Sequence, residues 1–517
     1  MPVKSGCRIC EVLTSYTCSN CNQAYYCTIK HQKQDWKSHK TNCYPFKIEE
    51  NVDLGRFLLT TRNIKPFEII LKEAPIIRGP SQITGAVCLG CLNGISPNDY
   101  INCQQCGWPL CGTGCSASYE HKNECELTAK RGIKVNIKEF TIPHPMYQCI
   151  TTLRCLLLKN DDANKWNNFA SLESLNDIRR GSVQWRADLE SIGKFIPKFF
   201  NTKEFTEDEV MEAVGILQIN GHEVPSTDPP HVAVFHYASF LEHSCTPNLA
   251  KSFSADGHIM LWAPKAIKKN SHISICYCDA LWGTADRQNH LMQTKLFRCF
   301  CLRCLDVTEY DTNYSALKCK EENCVGSVMP INPNEWHGKW RCKICNTDVG
   351  KLYIRNCLEK SGRDLHAMVT TVDNCFKYIN HYTNILSRNH FYITEVKIKL
   401  VQEIGKDPKE LMVVPDEELN IKIEYGGELI DLLETLAPCE TRILGILCFE
   451  LHSAYAQYTR QMSLKGSLSR QNVLEESLKY VEKSINFLQH EAEIYAEGLI
   501  LKQAKINRDI LKSILKM

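Results

Sequence analysis

The chain has 517 residues, 61 Lys plus Arg against 59 Asp plus Glu for a formal charge of +2, and 29 cysteines against 26 glycines. That length implies several folding units rather than one small core, and the near-balance of charge excludes a whole-chain field for nucleic acid or anionic membrane. No apolar run approaches the roughly 18 uncharged residues of a membrane span and no hydrophobic signal core follows Met1. The chain therefore reads as soluble and intracellular, where so many thiols point to metal rather than disulfides.

The first pattern is Cys7, Cys10, Cys18, Cys21, Cys27, His31, His39 and Cys43, or C-x2-C, C-x2-C, C-x3-H, H-x3-C. Close pairs let a tight turn or one helical turn present two ligands to one ion, so eight soft ligands predict two tetrahedral zinc sites. The segment has too few apolar residues to fold without metal. From Leu54 to Leu71, two β-rich runs around the polar turn Arg62–Pro66 predict a hairpin. The ladder then recurs as Cys88, Cys91, Cys103, Cys106, Cys111, Cys115, His121 and Cys125, an internal repeat with different loop lengths.

Further on come Glu242-His243-Ser244-Cys245-Thr246-Pro247-Asn248, a β-rich stretch at His258 to Leu261, a turn at Ala266 to Asn270 and a strand at Ile273 to Cys278. Cys299, Cys301 and Cys304 supply three ligands and need a fourth, for which Cys245 is the candidate. Cys319, Cys324, Cys342 and Cys345 read as a zinc ribbon with a long hairpin between its knuckles. Together these ligands suffice for about six zinc ions, all structural, since four protein ligands leave no open position for water. Cys149, Cys155, Cys276, Cys278, Cys357, Cys375, Cys439 and Cys448 lack such spacing and read mostly as small buried side chains.

From about residue 355 helical periodicity takes over. Leu474, Leu478, Val481, Ile485 and Leu488 form one apolar stripe, and Ile506, Ile510 and Ile514 are expected to continue it after a polar break near Glu491. Glu428 to Leu433 and Thr441 to Tyr458 read as further helices, joined at Pro438.

Both cysteine ladders resemble the MYND zinc finger, whose ligand pairs interleave. On that resemblance Cys7, Cys10, Cys27 and His31 hold one zinc and Cys18, Cys21, His39 and Cys43 another. Cys88, Cys91, Cys111 and Cys115 would share a third, and Cys103, Cys106, His121 and Cys125 a fourth. His31 stands where the family usually has Cys. MYND fingers elsewhere bind proline-containing peptides, and Gln32 and Trp36 match the surface residues that do so, which suits a rigid extended ligand. Lys30, Lys33, Lys37 and Lys40 add a basic face, and the second finger lacks an equivalent Trp.

A β-rich domain split by such a finger, then H-S-C-x-P-N, then a strand carrying Tyr277, then C-x-C-x2-C, resembles the SMYD family of SET-domain lysine methyltransferases. The extra finger before SET is similar to the arrangement in arthropod members. The resemblance implies an α+β multidomain protein: an N-terminal finger at 7–43, a first SET part at 51–87, the inserted finger at 88–125, a helical insertion at 140–225, the SET core at 226–280, a post-SET zinc segment at 281–304, a ribbon-like segment at 305–350 and an all-α TPR-like domain at 351–517. It implies S-adenosylmethionine as cofactor beside zinc, and transfer of its methyl group to a lysine of a histone tail or another protein. Tyr277 matches the family tyrosine at the methyl-transfer point. Asn220, Glu242 and His243 should line the cofactor pocket with Tyr277, Phe297 should stack on adenine, and backbone around Gly55 and Arg56 should approach the methionine end.

Several positions depart from the family pattern. Phe57 replaces the second glycine of a G-x-G turn, Glu242 replaces Asn, Asn270-Ser271-His272 replaces G-E-E, and Lys295 stands where an aromatic channel wall is usual. A weakly active or inactive scaffold that recruits proline-rich partners, as in transcriptional corepression, is therefore the alternative function. Neither reading expects sequence-specific nucleic acid or membrane as partner. A monomer distributed between nucleus and cytoplasm is expected.

Overall fold

The computed structural model describes residues 5–516, apart from 22, 41–42, 141 and 464–469. Helix α1 (Ile29–His39) opens where the Thr28 hydroxyl accepts from the His31 N–H, a side-chain N-cap that satisfies one otherwise orphaned donor. The finger around it buries only a small cluster, Cys18, Cys21, Ala24, Tyr26 and Cys43. So little apolar burial does not hold a fold, and the ligands must.

The strands of the region expected to be SET follow as short ladders. Strands β1 (Phe46–Asn51) and β2 (Gly55–Thr60) pair antiparallel from Phe46↔Thr60 to Asn51↔Gly55, so this ladder starts ahead of residue 51. β3 (Ile69–Glu73) lies in a different sheet, and the hairpin expected across 54–71 does not form. The reason is long-range: Ile64 exchanges bonds with Ile267, and the Phe67 N–H donates to the Ala263 carbonyl, so the Arg62–Pro66 turn is held by the distant Ala266–Asn270 turn.

β4 (Ile77–Gly79) is the last strand before the second finger. The second finger ends in helix α2 (Tyr119–Lys130), and α3 (Ile150–Asp161) and α4 (Glu207–Asn220) belong to the helical insertion. α4 starts with a capping box between Thr206 and Glu209. The chain then returns through β5 (Gly221–Val224) and β6 (His231–Val234), giving a sheet ordered β4-β6-β5. β7 (Glu242–His243) runs parallel to β10 (Ser274–Ile275), while β8 (Ala250–Phe253) and β9 (Ile259–Trp262) complete a sheet ordered β8-β9-β3.

One continuous core joins Phe46, Leu58 and Leu71 of the SET strands, Trp108 and Leu110 of the second finger, and Leu153, Leu156 and Ile216 of the insertion helices. The second finger is thus packed into the SET core, whereas the first keeps a core of its own.

After helix α5 (Thr284–Thr294), a four-stranded antiparallel meander β11 (Leu317–Lys318), β12 (Ser327–Pro330), β13 (Trp340–Cys342) and β14 (Asp348–Val349) carries the ribbon cysteines. The remainder is helical: α6 (Lys351–Ala367), α7 (Val372–Tyr382), α8 (Phe391–Glu403), α9 (Asp416–Leu436), α10 (Thr441–Ser463), α11 (Arg470–Leu488) and α12 (Ala496–Leu515). Leu474, Val481 and Leu488 of α11 are buried, with Leu478 and Ile485 packed beside them.

The expected continuation of that stripe is wrong in α12, where Gly498, Leu501, Ala504 and Leu511 turn inward and Ile506, Ile510 and Ile514 remain exposed. The break before α12 resets the rotational phase. The helical region touches the SET core through the His490 ring, which lies 4.9 Å from Trp262 and 3.1 Å from the Phe67 carbonyl. Among the described residues no helix is long and apolar enough to cross a membrane.

Candidate functional site

The ligand ladders converge into compact sets. The donor atoms of Cys7, Cys10, Cys27 and His31 all lie within 4.8 Å of one another, as do those of Cys18, Cys21, His39 and Cys43. The same holds for Cys88, Cys91, Cys111 and Cys115, for Cys103, Cys106, His121 and Cys125, and for Cys245, Cys299, Cys301 and Cys304. In the ribbon, Cys319 and Cys345 sulfurs are 3.6 Å apart and those of Cys324 and Cys342 3.7 Å.

The spacing tests the fit to zinc. A tetrahedron with Zn–S arms of about 2.3 Å has S···S edges of about 3.8 Å, far longer than a disulfide of about 2.05 Å. Observed edges include 3.4 Å for Cys10–Cys27, 3.6 Å for Cys18–Cys43, 3.7 Å for Cys103–Cys125 and 4.0 Å for Cys245–Cys299. The donor sets fit zinc in number, softness and separation.

His31 meets its partners through Nδ1, 3.2 Å from Cys27 and 3.5 Å from Cys7, whereas His39 and His121 use Nε2. Nδ1 is the ring nitrogen nearer the backbone, which is how imidazole replaces a shorter Cys without shifting the helix.

His121 shows how its tautomer is set. Its Nε2 is 3.4 Å from Cys106 Sγ, and its Nδ1 is 3.8 Å from Glu124 Oε1. The carboxylate favours a proton on Nδ1 and leaves Nε2 free for metal. Glu124 is itself buried against Arg154 of α3, whose guanidinium also donates to the Arg78 carbonyl at 3.1 Å and the Leu89 carbonyl at 2.6 Å. Sequence alone did not mark Glu124.

The post-SET set stands beside the candidate cofactor pocket. The Tyr277 N–H donates to His243 Nδ1 at 3.0 Å, so the His243 proton is on Nε2, 3.3 Å from Cys245 Sγ. His243 thus joins the thiolate cage to the pocket. Its ring lies 5.2 Å from Tyr277 and 5.7 Å from Phe297, and those two rings are 6.4 Å apart and edge-on. The Tyr277 hydroxyl donates to the Leu241 carbonyl, and burial, then Glu242, pushes its ionisation up, keeping it a proton donor. Aromatic faces and a half-buried Phe297 suit an adenine ring.

Other named residues are engaged elsewhere. Asn220 Nδ2 donates to the Glu173 carbonyl at 2.8 Å and the Ile216 carbonyl at 2.9 Å. Gly55 adopts φ +64°, and a Cβ built there would have nothing within 4 Å, so it faces open space. Arg56 donates to the Ser171 carbonyl and lies 4.7 Å over the Phe240 ring.

Three departures from the family pattern meet one another: Phe57 stacks on His272 at 4.6 Å, and His272 Nδ1 contacts Glu242 Oε1. The Glu242 carboxylate is therefore committed within the chain. Lys295 Nζ lies 5.7 Å over the Tyr277 ring and donates to the carbonyls of Ile219 at 2.7 Å and Gln218 at 3.3 Å.

Two positioning groups carried no sequence signal. Glu73 accepts from the N–H groups of His236, Tyr237 and Ala238 at 2.9, 2.9 and 3.1 Å, holding the turn that leads into β7, while burial pushes its carboxyl up to about 7. Glu309 is fully buried between Arg287 at 3.0 Å and Arg303 at 2.8 Å. Arg303 also donates to the Ala280 carbonyl at 2.7 Å and the Leu436 carbonyl at 3.3 Å, tying post-SET segment, SET core and α9 together.

Comparison with known proteins places this geometry. The MYND finger family model matches residues 7–43. SET domain-containing protein SmydA-8, isoform A, of Drosophila melanogaster is 28% identical over 416 residues, covering 78% of this chain and 87% of its own length. Histone-lysine N-methyltransferase ASHR1 of Arabidopsis thaliana is 26% identical over 298 residues, 53% of this chain and 59% of its own. Histone-lysine N-methyltransferase SMYD3 of Homo sapiens is 25% identical over 285 residues, 50% of this chain and 62% of its own. These likenesses support a SET and MYND domain protein of the SMYD type, with a MYND finger at its N-terminus.

Proposed function

We propose that the chain is a protein-lysine N-methyltransferase acting on histone or other protein lysines in nucleus and cytoplasm, with about six structural zinc ions. The convergence of Tyr277, His243 and Phe297 beneath the H-S-C segment carries the reading, and relatives named as lysine methyltransferases support it. S-adenosylmethionine, when bound, supplies the electrophilic methyl group. The residues of the chain position: Phe297 offers a face to adenine, His243 braces Tyr277, and the protonated Tyr277 hydroxyl orients the acceptor amine. Desolvation against these rings favours the neutral, nucleophilic amine. Calorimetry with S-adenosylhomocysteine should show binding, and labelled methyl transfer to a protein library should vanish in Tyr277→Phe. Zinc-replete protein that binds no cofactor ends the proposal.

A second role is favoured by Trp36, which is 44% exposed on α1 beside Gln32. A proline-rich peptide suits that indole face. Such partners should bind wild type and lose affinity for Trp36→Ala; peptide arrays that do not distinguish the two count against it.

A further inference from the structure

α4 ends at Asn220, and the last carbonyls of a helix lack intrahelical partners and carry the negative end of its dipole. Two of them, Gln218 and Ile219, face the pocket ammonium of Lys295. The third wall of that ammonium site is the ring of Tyr277, 5.7 Å away, within cation–π range. Carbonyl acceptors beside an aromatic face are what an incoming lysine ammonium requires, and here a side chain of the same protein takes them.

We propose that Lys295 fills, from within the chain, the ammonium subsite of the candidate pocket, and so decides whether a second amine is admitted. The inference rests on the pocket assigned under the proposed function and adds its control. A substrate amine in the unaltered protein finds its acceptors taken and meets a like charge. Lys251 reinforces this: burial first, then the charge of Lys251, pulls Lys295 down to about 8. The subsite becomes vacant only when the Lys295 side chain swings out. Access of a peptidyl lysine is then coupled to the segment 295–304, whose far end holds Cys299, Cys301 and Cys304.

The test uses full-length, zinc-replete protein and n-butylammonium, which matches a whole lysine side chain, of which Lys295→Ala removes the aminopropyl part. Calorimetry should show Lys295→Ala binding the amine about tenfold or more tighter than wild type, and n-butanol no tighter than in wild type, since a cation–π contact and charge-assisted hydrogen bonds distinguish the two. Equal amine affinity in both proteins, or equal gains for amine and alcohol, overturns the proposal. Should Lys295→Ala not fold, acetylation of the unaltered protein decides: Lys295 should react about tenfold or more slowly than exposed Lys268, and equal rates overturn the assignment. S-adenosylhomocysteine is titrated in parallel. If it binds neither protein the methyltransferase reading fails, while the amine result still judges the subsite.

Discussion

Glu124→Gln isolates the contact between the second finger and the SET insertion. The substitution keeps the shape and removes the charge. Arg154 is then left as a buried guanidinium with only the Arg78 and Leu89 carbonyls as full acceptors. Breaking a buried ion pair from one side typically costs about 3–5 kcal/mol; two surviving acceptors place the expectation near about 3 kcal/mol. The same change removes the group that keeps the proton on His121 Nδ1, for which loss of a metal's outer partner costs about 10–100-fold in affinity. Competition with a chelator, read by alkylation of Cys103 and Cys125 in peptide mass spectrometry, should show this site losing zinc first, with faster amide exchange in α2 and α3. Glu124→Met combined with Arg154→Met should recover much of the lost stability, because no lone charge stays buried, but not the zinc affinity. Wild-type zinc retention and an unchanged unfolding midpoint in Glu124→Gln would refute this account.

Gly107 follows the Cys103–Cys106 knuckle at φ +85°, and a Cβ there would lie 2.3 Å from the Val135 carbonyl oxygen; Gly107→Ala should cost about 2–3 kcal/mol and expose Cys106 to alkylation. His390 is buried, accepts the Tyr392 N–H at 3.2 Å through Nδ1 and is held down to about 3 by burial. Its folded value lies below the unfolded one of about 6.5, so the unfolded chain takes up the proton first and stability falls as pH drops through 6.5 towards 3. From pH 6.5 to 5 this amounts to about 1.5 kcal/mol, and urea unfolding of wild type against His390→Asn, which keeps a capping acceptor, should differ by that slope. Leu488→Ala should cost about 2–5 kcal/mol and Ile510→Lys less than about 0.5 kcal/mol, since Leu488 is buried and Ile510 is 53% exposed; equal costs in thermal unfolding would contradict the packing of α11 and α12.

Metal ligation is the part of this fold that a sequence displays most openly, because ligand pairs must be local. Cys7 with Cys10 or His39 with Cys43 announce themselves by spacing, while the interleaving of pairs came from family resemblance. Cys245 is 54 residues from Cys299, and only the shortage of a fourth ligand pointed to it. Strand pairing failed where it was long-range: 54–71 reads locally as a hairpin, yet the Ile64–Ile267 exchange outcompetes it. The isoleucines of α12 failed because a helix break erases rotational phase. Glu124, Glu309 and Glu73 look like surface acids until the guanidiniums and amides they serve are seen. At Lys295 the departure was visible, but the destination of its ammonium depends on the end of α4, some seventy-five residues earlier.

Phe297 and Lys295 stand on the stem of the loop that Cys299, Cys301 and Cys304 fasten to Cys245. Three of those thiols are buried and Cys301 is only half-covered. The pocket ceiling therefore hangs from that four-sulfur clasp, so the aromatic wall and the internal lysine share one anchor.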